Sequence, residues 1–111
     1  MMHEESLKRL NEMKTLKYNW NGYGAEPIPI DIIEKTEKFI RQLNSEVEIF
    51  PTANQTIQIE KENNFGYLEI EIYEDMISLF FASNYRKEII EKEVNEREAF
   101  EFIDKFMSMS H

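Results

Sequence analysis

The chain has no cysteine in 111 residues. Disulfide bridges, thiolate metal sites and cysteine nucleophiles are therefore excluded. Histidine is scarce as well, and the two present, His3 and His111, stand at opposite ends. Neither offers the positioned base that nucleophilic catalysis needs. Of only three glycines, the pair in Asn21-Gly22-Tyr23-Gly24 lacks both the lysine of a Walker loop and the third glycine of a dinucleotide fingerprint. Positive charge is in deficit: 13 Lys and Arg face 22 Asp and Glu, for a formal net charge of -9. A protein that tracks nucleic-acid phosphates needs the opposite balance, so no direct nucleic-acid binding is expected. No apolar run approaches the length of a membrane span, and no membrane association is expected. The start, Met1-Met2-His3-Glu4-Glu5, has neither a basic flank nor an apolar stretch; no signal peptide is expected, and the protein is read as cytoplasmic. These absences together predict no enzyme activity and no metal or cofactor.

What is present is a foldable core. Hydrophobic residues make up 41% of the chain, with eight Phe, five Tyr and one Trp. That suffices for one modest core in a single domain spanning residues 1–111. The only Trp sits in Asn19-Trp20-Asn21-Gly22-Tyr23-Gly24-Ala25-Glu26-Pro27, beside two glycines. A loop shaped by positive backbone φ and held by one large side chain is the natural reading. In one version Trp20 is a core anchor bracing the helices on either side. In the other, Trp20, Asn21 and Tyr23 form a ligand-binding surface.

Periodicity sets the elements around that loop. Leu7, Leu10, Met13 and Leu16 predict a first helix over about residues 4–16. Ile32, Ile33, Thr36, Phe39, Ile40 and Leu43 predict a second over 30–44, stopping at Asn44-Ser45. From Val47 the period becomes two. Val47, Ile49 and Phe50 form a short strand before Pro51. A two-residue turn at Asn63-Asn64 would pair Ile59 with Leu68 and Ile57 with Ile70. A turn at Glu74-Asp75 would pair Ile72 with Ile77, Ile70 with Leu79 and Leu68 with Phe81. Both turns keep one face apolar. Residues 85–94 fit either a charged edge strand or a helical run-in to the last helix. Asn95 with Glu98 predicts a capping box opening a helix over 95–107, and residues 108–111 read as a frayed tail. The expected fold is α+β: a two-layer domain in which an antiparallel sheet of four to five strands packs on helices in the order α-α-β-β-β-β-(β)-α.

Charge is unevenly spread. Residues 1–46 hold seven basic and eight acidic side chains, whereas residues 47–111 hold six and fourteen. The polar positions of the strands carry Gln58, Glu60, Tyr67, Glu69, Glu71, Tyr73, Ser78 and Phe80, with no lysine or arginine from the three central strands. Aromatic anchors among acids suit a protein interface. Glu60, Tyr67, Glu69, Glu71, Tyr73 and Phe80 are therefore the candidate partner-binding residues, set against an ordinary solvated sheet face.

The loop Trp20-Asn21-Gly22-Tyr23-Gly24-Ala25 with Pro27-Ile28, a following helix, and Pro51-Thr52 leading to Ile57-Gln58-Ile59-Glu60 resembles a family of small uncharacterised bacterial proteins. Its loop is of Trp-Asp-Gly-Tyr-Gly-Ala type, and its later segment reads Pro-Thr, a short turn, then a strand. The similarity spans roughly residues 7–72. Asn21 stands in place of the family's usual Asp, and Ala53-Asn54-Gln55 lacks the common glycine. The resemblance implies a bacterial or phage origin and one compact domain; it implies no activity. Size and charge lead to the expectation of a non-catalytic acidic binding module of inhibitor, antitoxin, immunity or phage anti-defence type. Its partner would carry a basic surface, as a nucleic-acid-processing enzyme or toxin does. Self-association into a homodimer through edge strands or the apolar C-terminal face stays open.

Overall fold

The computed structural model describes residues 2–85 and 87–108. The chain runs α1 (Glu4–Met13), α2 (Ile30–Arg41), β1 (Glu48–Pro51), β2 (Ile57–Asn63), β3 (Gly66–Ile72), β4 (Ile77–Ser83), β5 (Ile89–Val94) and α3 (Glu96–Ser108). The five strands form one antiparallel meander in sequence order. Residues 89–94 are thus a strand, and the helical alternative is set aside. Of the predicted tail, Ser108 belongs to α3, while Met109, Ser110 and His111 lie outside the described residues. So does Arg86 within the 85–94 segment.

Alternation makes the inner face. Ile57, Ile59, Leu68, Ile70, Ile72, Ile77, Leu79 and Phe81 are all buried, joined at the edges by Ile49 and Val94. Helix α2 lays Ile32, Ile33, Phe39 and Ile40 on this face, and α3 adds Ala99, Ile103 and Phe106. Phe39 stacks on Phe100 with ring centroids 4.5 Å apart, which joins α2 to α3. Each fully buried aliphatic side chain contributes roughly 1.5–3 kcal/mol relative to exposure, so this one face accounts for most of what holds the domain together.

The helices end earlier than periodicity predicts. Lys14, Thr15 and Leu16 bond to carbonyls three residues back rather than four, so α1 closes in a tightened turn instead of running to residue 16. The same tightening at Gln42 and Leu43 ends α2 before Asn44. The apolar stripe continues through both turns, which is why the pattern overran the helix. At α3 the capping box forms in both directions: Glu98 N donates to Asn95 Oδ1 (2.8 Å) and Asn95 N to Glu98 Oε1 (3.2 Å).

Of the two hairpins, one has the expected register and the other does not. Glu74-Asp75 turns as predicted, pairing Ile72 with Ile77, Ile70 with Leu79 and Leu68 with Phe81. Lys35 of α2 secures that turn by donating to Tyr73 O (2.8 Å) and Glu74 O (3.3 Å). The first hairpin turns one residue later than predicted, at Asn64-Phe65, so Ile59 pairs with Ile70 and Ile57 with Ile72. Two features accompany this register, one local and one from β4. Asn63 Oδ1 accepts from Phe65 N (2.8 Å) and Gly66 N (3.3 Å), which makes Asn63 the first residue of the turn. Gly66 lies so close to β4 that a Cβ there would stand 2.1 Å from Ala82 O. A partner shift of two residues leaves every side chain on its original face, so the hydrophobic pattern could not detect the error.

The N-terminal segment is pinned more firmly than its position suggests. His3 is only 6% exposed. Its Nε2 donates to Leu43 O (2.7 Å), its backbone N donates to the Glu46 carboxylate, and Ser6 Oγ donates to Val47 O (2.7 Å). His3 therefore serves as a buried tie between the start of α1 and the approach to β1.

Candidate functional site

Register decides what the outer sheet face presents. Gln58, Glu71, Ser78 and Glu93 form one cross-strand row, and Glu48, Glu60, Glu69, Phe80 and Glu91 form the next. A third row runs Glu62, Tyr67, Ala82 and Ile89. Seven glutamates thus share one face, and none of its outward strand positions holds a lysine or arginine. Among the described residues these glutamates form no ion pair; Glu37 with Arg41 and Glu101 with Arg97 pair along helices instead.

The six sequence-predicted residues gather on this face. Glu60 and Glu69 stand directly opposite each other, and Glu69 is in turn opposite Phe80. Tyr67 Oη donates to Glu69 Oε2 (2.9 Å), and its ring meets Phe80 edge-on at 6.3 Å. Partial burial, the bond to Glu69 and the negative charge of Glu69 and Glu60 raise the Tyr67 hydroxyl pKa well above the ordinary tyrosine value. Tyr73, just past β3, is raised by partial burial and by Glu71. Glu71 accepts from Thr56 Oγ1 (2.6 Å), which fixes its carboxylate beside the turn between β1 and β2. Glu69, Glu71, Tyr73, Ser78, Phe80 and Glu91 line a shallow open depression of about 230 Å³. No group of three or more acidic or histidine side chains among the described residues is arranged to hold a metal ion.

Glu48, Glu62, Glu91 and Glu93 also belong to this face, and sequence reasoning missed them. Glu62 was hidden by the turn expected at Asn63-Asn64, which the longer β2 replaces; for the other three the signal was present as alternation in Glu48-Ile49-Phe50 and Ile90-Glu91-Lys92-Glu93. Placing it required the partner register of the two edge strands, which no turn motif defines.

The Trp loop is built differently. Gly22 and Gly24 take φ of 80° and 81°, and Asn19 takes 67°. Asn19 Oδ1 accepts from Gly24 N (2.7 Å), and Asn21 Oδ1 accepts from Tyr23 N (2.8 Å) and Ala25 N (3.2 Å). Trp20 is half-buried against the core, and its indole N–H donates to Glu26 O (2.9 Å). The side chains of Asn19, Asn21 and Trp20 are therefore committed within the loop. An acceptor oxygen at position 21 is what the turn needs, and either Asn or Asp supplies it. Tyr23 is 92% exposed and Tyr18 is 65% exposed; these are the loop's outward aromatics.

No protein-family model, curated protein or solved structure matches this chain. Among the described residues, no helix is long and apolar enough to cross a membrane.

Proposed function

We propose that the chain is a non-catalytic, acidic protein-binding module that covers a basic surface of a partner with its outer sheet face. The observation that carries this reading is the row Glu48–Glu60–Glu69: three carboxylates directly opposed on adjacent strands without a paired cation among the described residues. Like charges facing each other across strands destabilise a sheet. A basic partner surface relieves that repulsion on binding, steers encounter from a distance, and docks against Tyr67, Tyr73 and Phe80. The role is that of an inhibitor, antitoxin, immunity or phage anti-defence protein in the cytoplasm, facing a toxin or nucleic-acid-processing enzyme.

The test uses the partner captured from the native host. Replacing Glu69 and Glu71 together by Lys should slow association about tenfold or more at low salt, with little loss of fold beyond the bonds from Tyr67 and Thr56. Equal association rates for the two proteins would refute the reading.

A second reading keeps a small-molecule or peptide site at the Trp loop, favoured by the exposure of Tyr23 and Tyr18. It requires Trp20 fluorescence to respond to the ligand, and unquenchable emission returns Trp20 to a bracing role.

A further inference from the structure

The two edges of the sheet are finished differently. Strand β1 is four residues long and contains Pro51, which has no N–H. Helix α1 packs beside it, with Ser6 bonded to Val47 O and the Arg9 guanidinium 5.0 Å from the Phe50 ring centre. Among the described residues, strand β5 has no such cover. It packs chiefly on β4 and α3. Glu91, Lys92 and Glu93 are exposed, and Ile89 is 66% exposed.

The ladder shows which backbone groups of β5 point away from β4. Ser83 N donates to Glu88 O (2.8 Å) across the β4–β5 pair. Backbone groups alternate in direction along a strand, so Ile90, Lys92 and Val94 face β4, and the N–H and C=O groups of Ile89, Glu91 and Glu93 point away from the sheet. These three residues also carry the outer-face side chains. On the opposite side, Ile90 borders a cavity of about 510 Å³ lined by Phe65, Phe81, Tyr85, Phe102 and Phe106.

We infer that the free edge of β5 receives an extended segment of the partner as an added antiparallel strand, and that this segment alternates basic and apolar residues. A residue paired with Glu91 or Glu93 presents its side chain on the acidic face, where a lysine or arginine is matched. Its neighbours present theirs on the side of Ile90 and the aromatic cavity, where apolar side chains are matched. Main-chain bonds supply affinity and the two flanking surfaces supply specificity. A second copy of this chain fits less well, because the register overlapping most of β5 with itself sets Glu91 against Glu91. The inference rests on the acidic-face reading and adds where the partner's chain lies.

The test uses short capped peptides alternating lysine and valine, followed by amide exchange and chemical shifts of the whole protein. The unmodified peptide should protect the amides of Ile89, Glu91 and Glu93 and shift Ile90 and Phe102. Backbone N-methylation at the lysines should weaken binding about tenfold or more, equivalent to about 1.4 kcal/mol, because the lysine N–H groups point at β5. N-methylation at the valines should not. Glu91→Pro removes an outward N–H and leaves the ladder to β4 intact, so it should lose binding, whereas Glu91→Gln should retain the protection pattern. If Glu91→Pro does not fold, the two methylated peptides still decide the matter. Equal binding of both methylated peptides, with shifts confined to Glu60, Glu69 and Glu71, overturns the edge inference and leaves the acidic-face reading standing. A peptide that binds nowhere also overturns it, and the Glu69/Glu71 charge reversal then judges the face separately. A concentration-dependent dimer abolished by Glu91→Pro overturns the choice of occupant.

Discussion

The Trp loop and the outer sheet face are opposite kinds of surface. In the loop, the side chains of Asn19, Asn21 and Trp20 are bonded to the loop's own backbone. On the sheet face, Glu48, Glu60 and Glu69 repel one another across the strands. The loop has the most distinctive sequence, and its distinctiveness is accounted for by local geometry: two glycines at positive φ and two Asn side chains that close the turn. The face is made of common residues and acquires its character only from their alignment. Rare sequence marks a local conformational demand here, whereas the candidate surface comes from ordinary residues held in register.

The sharpest way to break this contrast is to disturb the register. Gly66→Ala inserts a Cβ where only 2.1 Å separates it from Ala82 O. It should cost about 3 kcal/mol, the upper part of the usual range for overpacking, read from the denaturant midpoint. A near-neutral result would remove the close strand approach from the account of the face. In the loop, Asn21→Ala leaves the N–H groups of Tyr23 and Ala25 without their acceptor and should cost about 1 kcal/mol. Asn21→Asp keeps an acceptor and should cost much less. Equal losses for the two would mean that the side-chain oxygen is not what holds the turn.

The face should respond in the opposite direction. Glu60 is opposed by Glu48 on one side and Glu69 on the other, so Glu60→Gln should raise stability by about 0.5 kcal/mol at low salt, an effect that fades as salt screens the repulsion. A loss of stability would show that the carboxylates are favourably held and would undercut the proposed function. The smallest effect is that of pH. The Tyr67 pKa is raised on folding by burial and by Glu69 and Glu60, so the folded state retains a proton that the unfolded state gives up. This contribution is fully present below the ordinary tyrosine value near pH 10 and is lost as pH climbs through the folded value. Unfolding curves above pH 10 should therefore slope less steeply for Tyr67→Phe than for the parent chain.

Much of the fold was legible in the residues because burial imposes a period. The buried alternation from Ile57 to Phe81, the helical stripes of α2 and α3 and the Asn95–Glu98 cap each show as a pattern among residues close in sequence. The candidate residues Tyr67, Glu69, Glu71, Tyr73 and Phe80 could be assigned to one face for the same reason. Their partners across the first hairpin could not, since pairing Glu60 with Tyr67 or with Glu69 satisfies the same alternation.

The sequence by itself determined which side of each strand meets the core, because exposing a row of isoleucines is costly whatever the register. Only the tertiary structure decided which glutamates face one another. That choice depends on a turn closed by the Asn63 side chain and on the space left at Gly66 by β4, a strand distant in sequence. It also decided that His3 is buried against Leu43 and Glu46, and that β1 is covered while β5, among the described residues, is open. Apart from the Asn63 turn, these outcomes come from contacts between segments far apart in the chain, which no local period encodes.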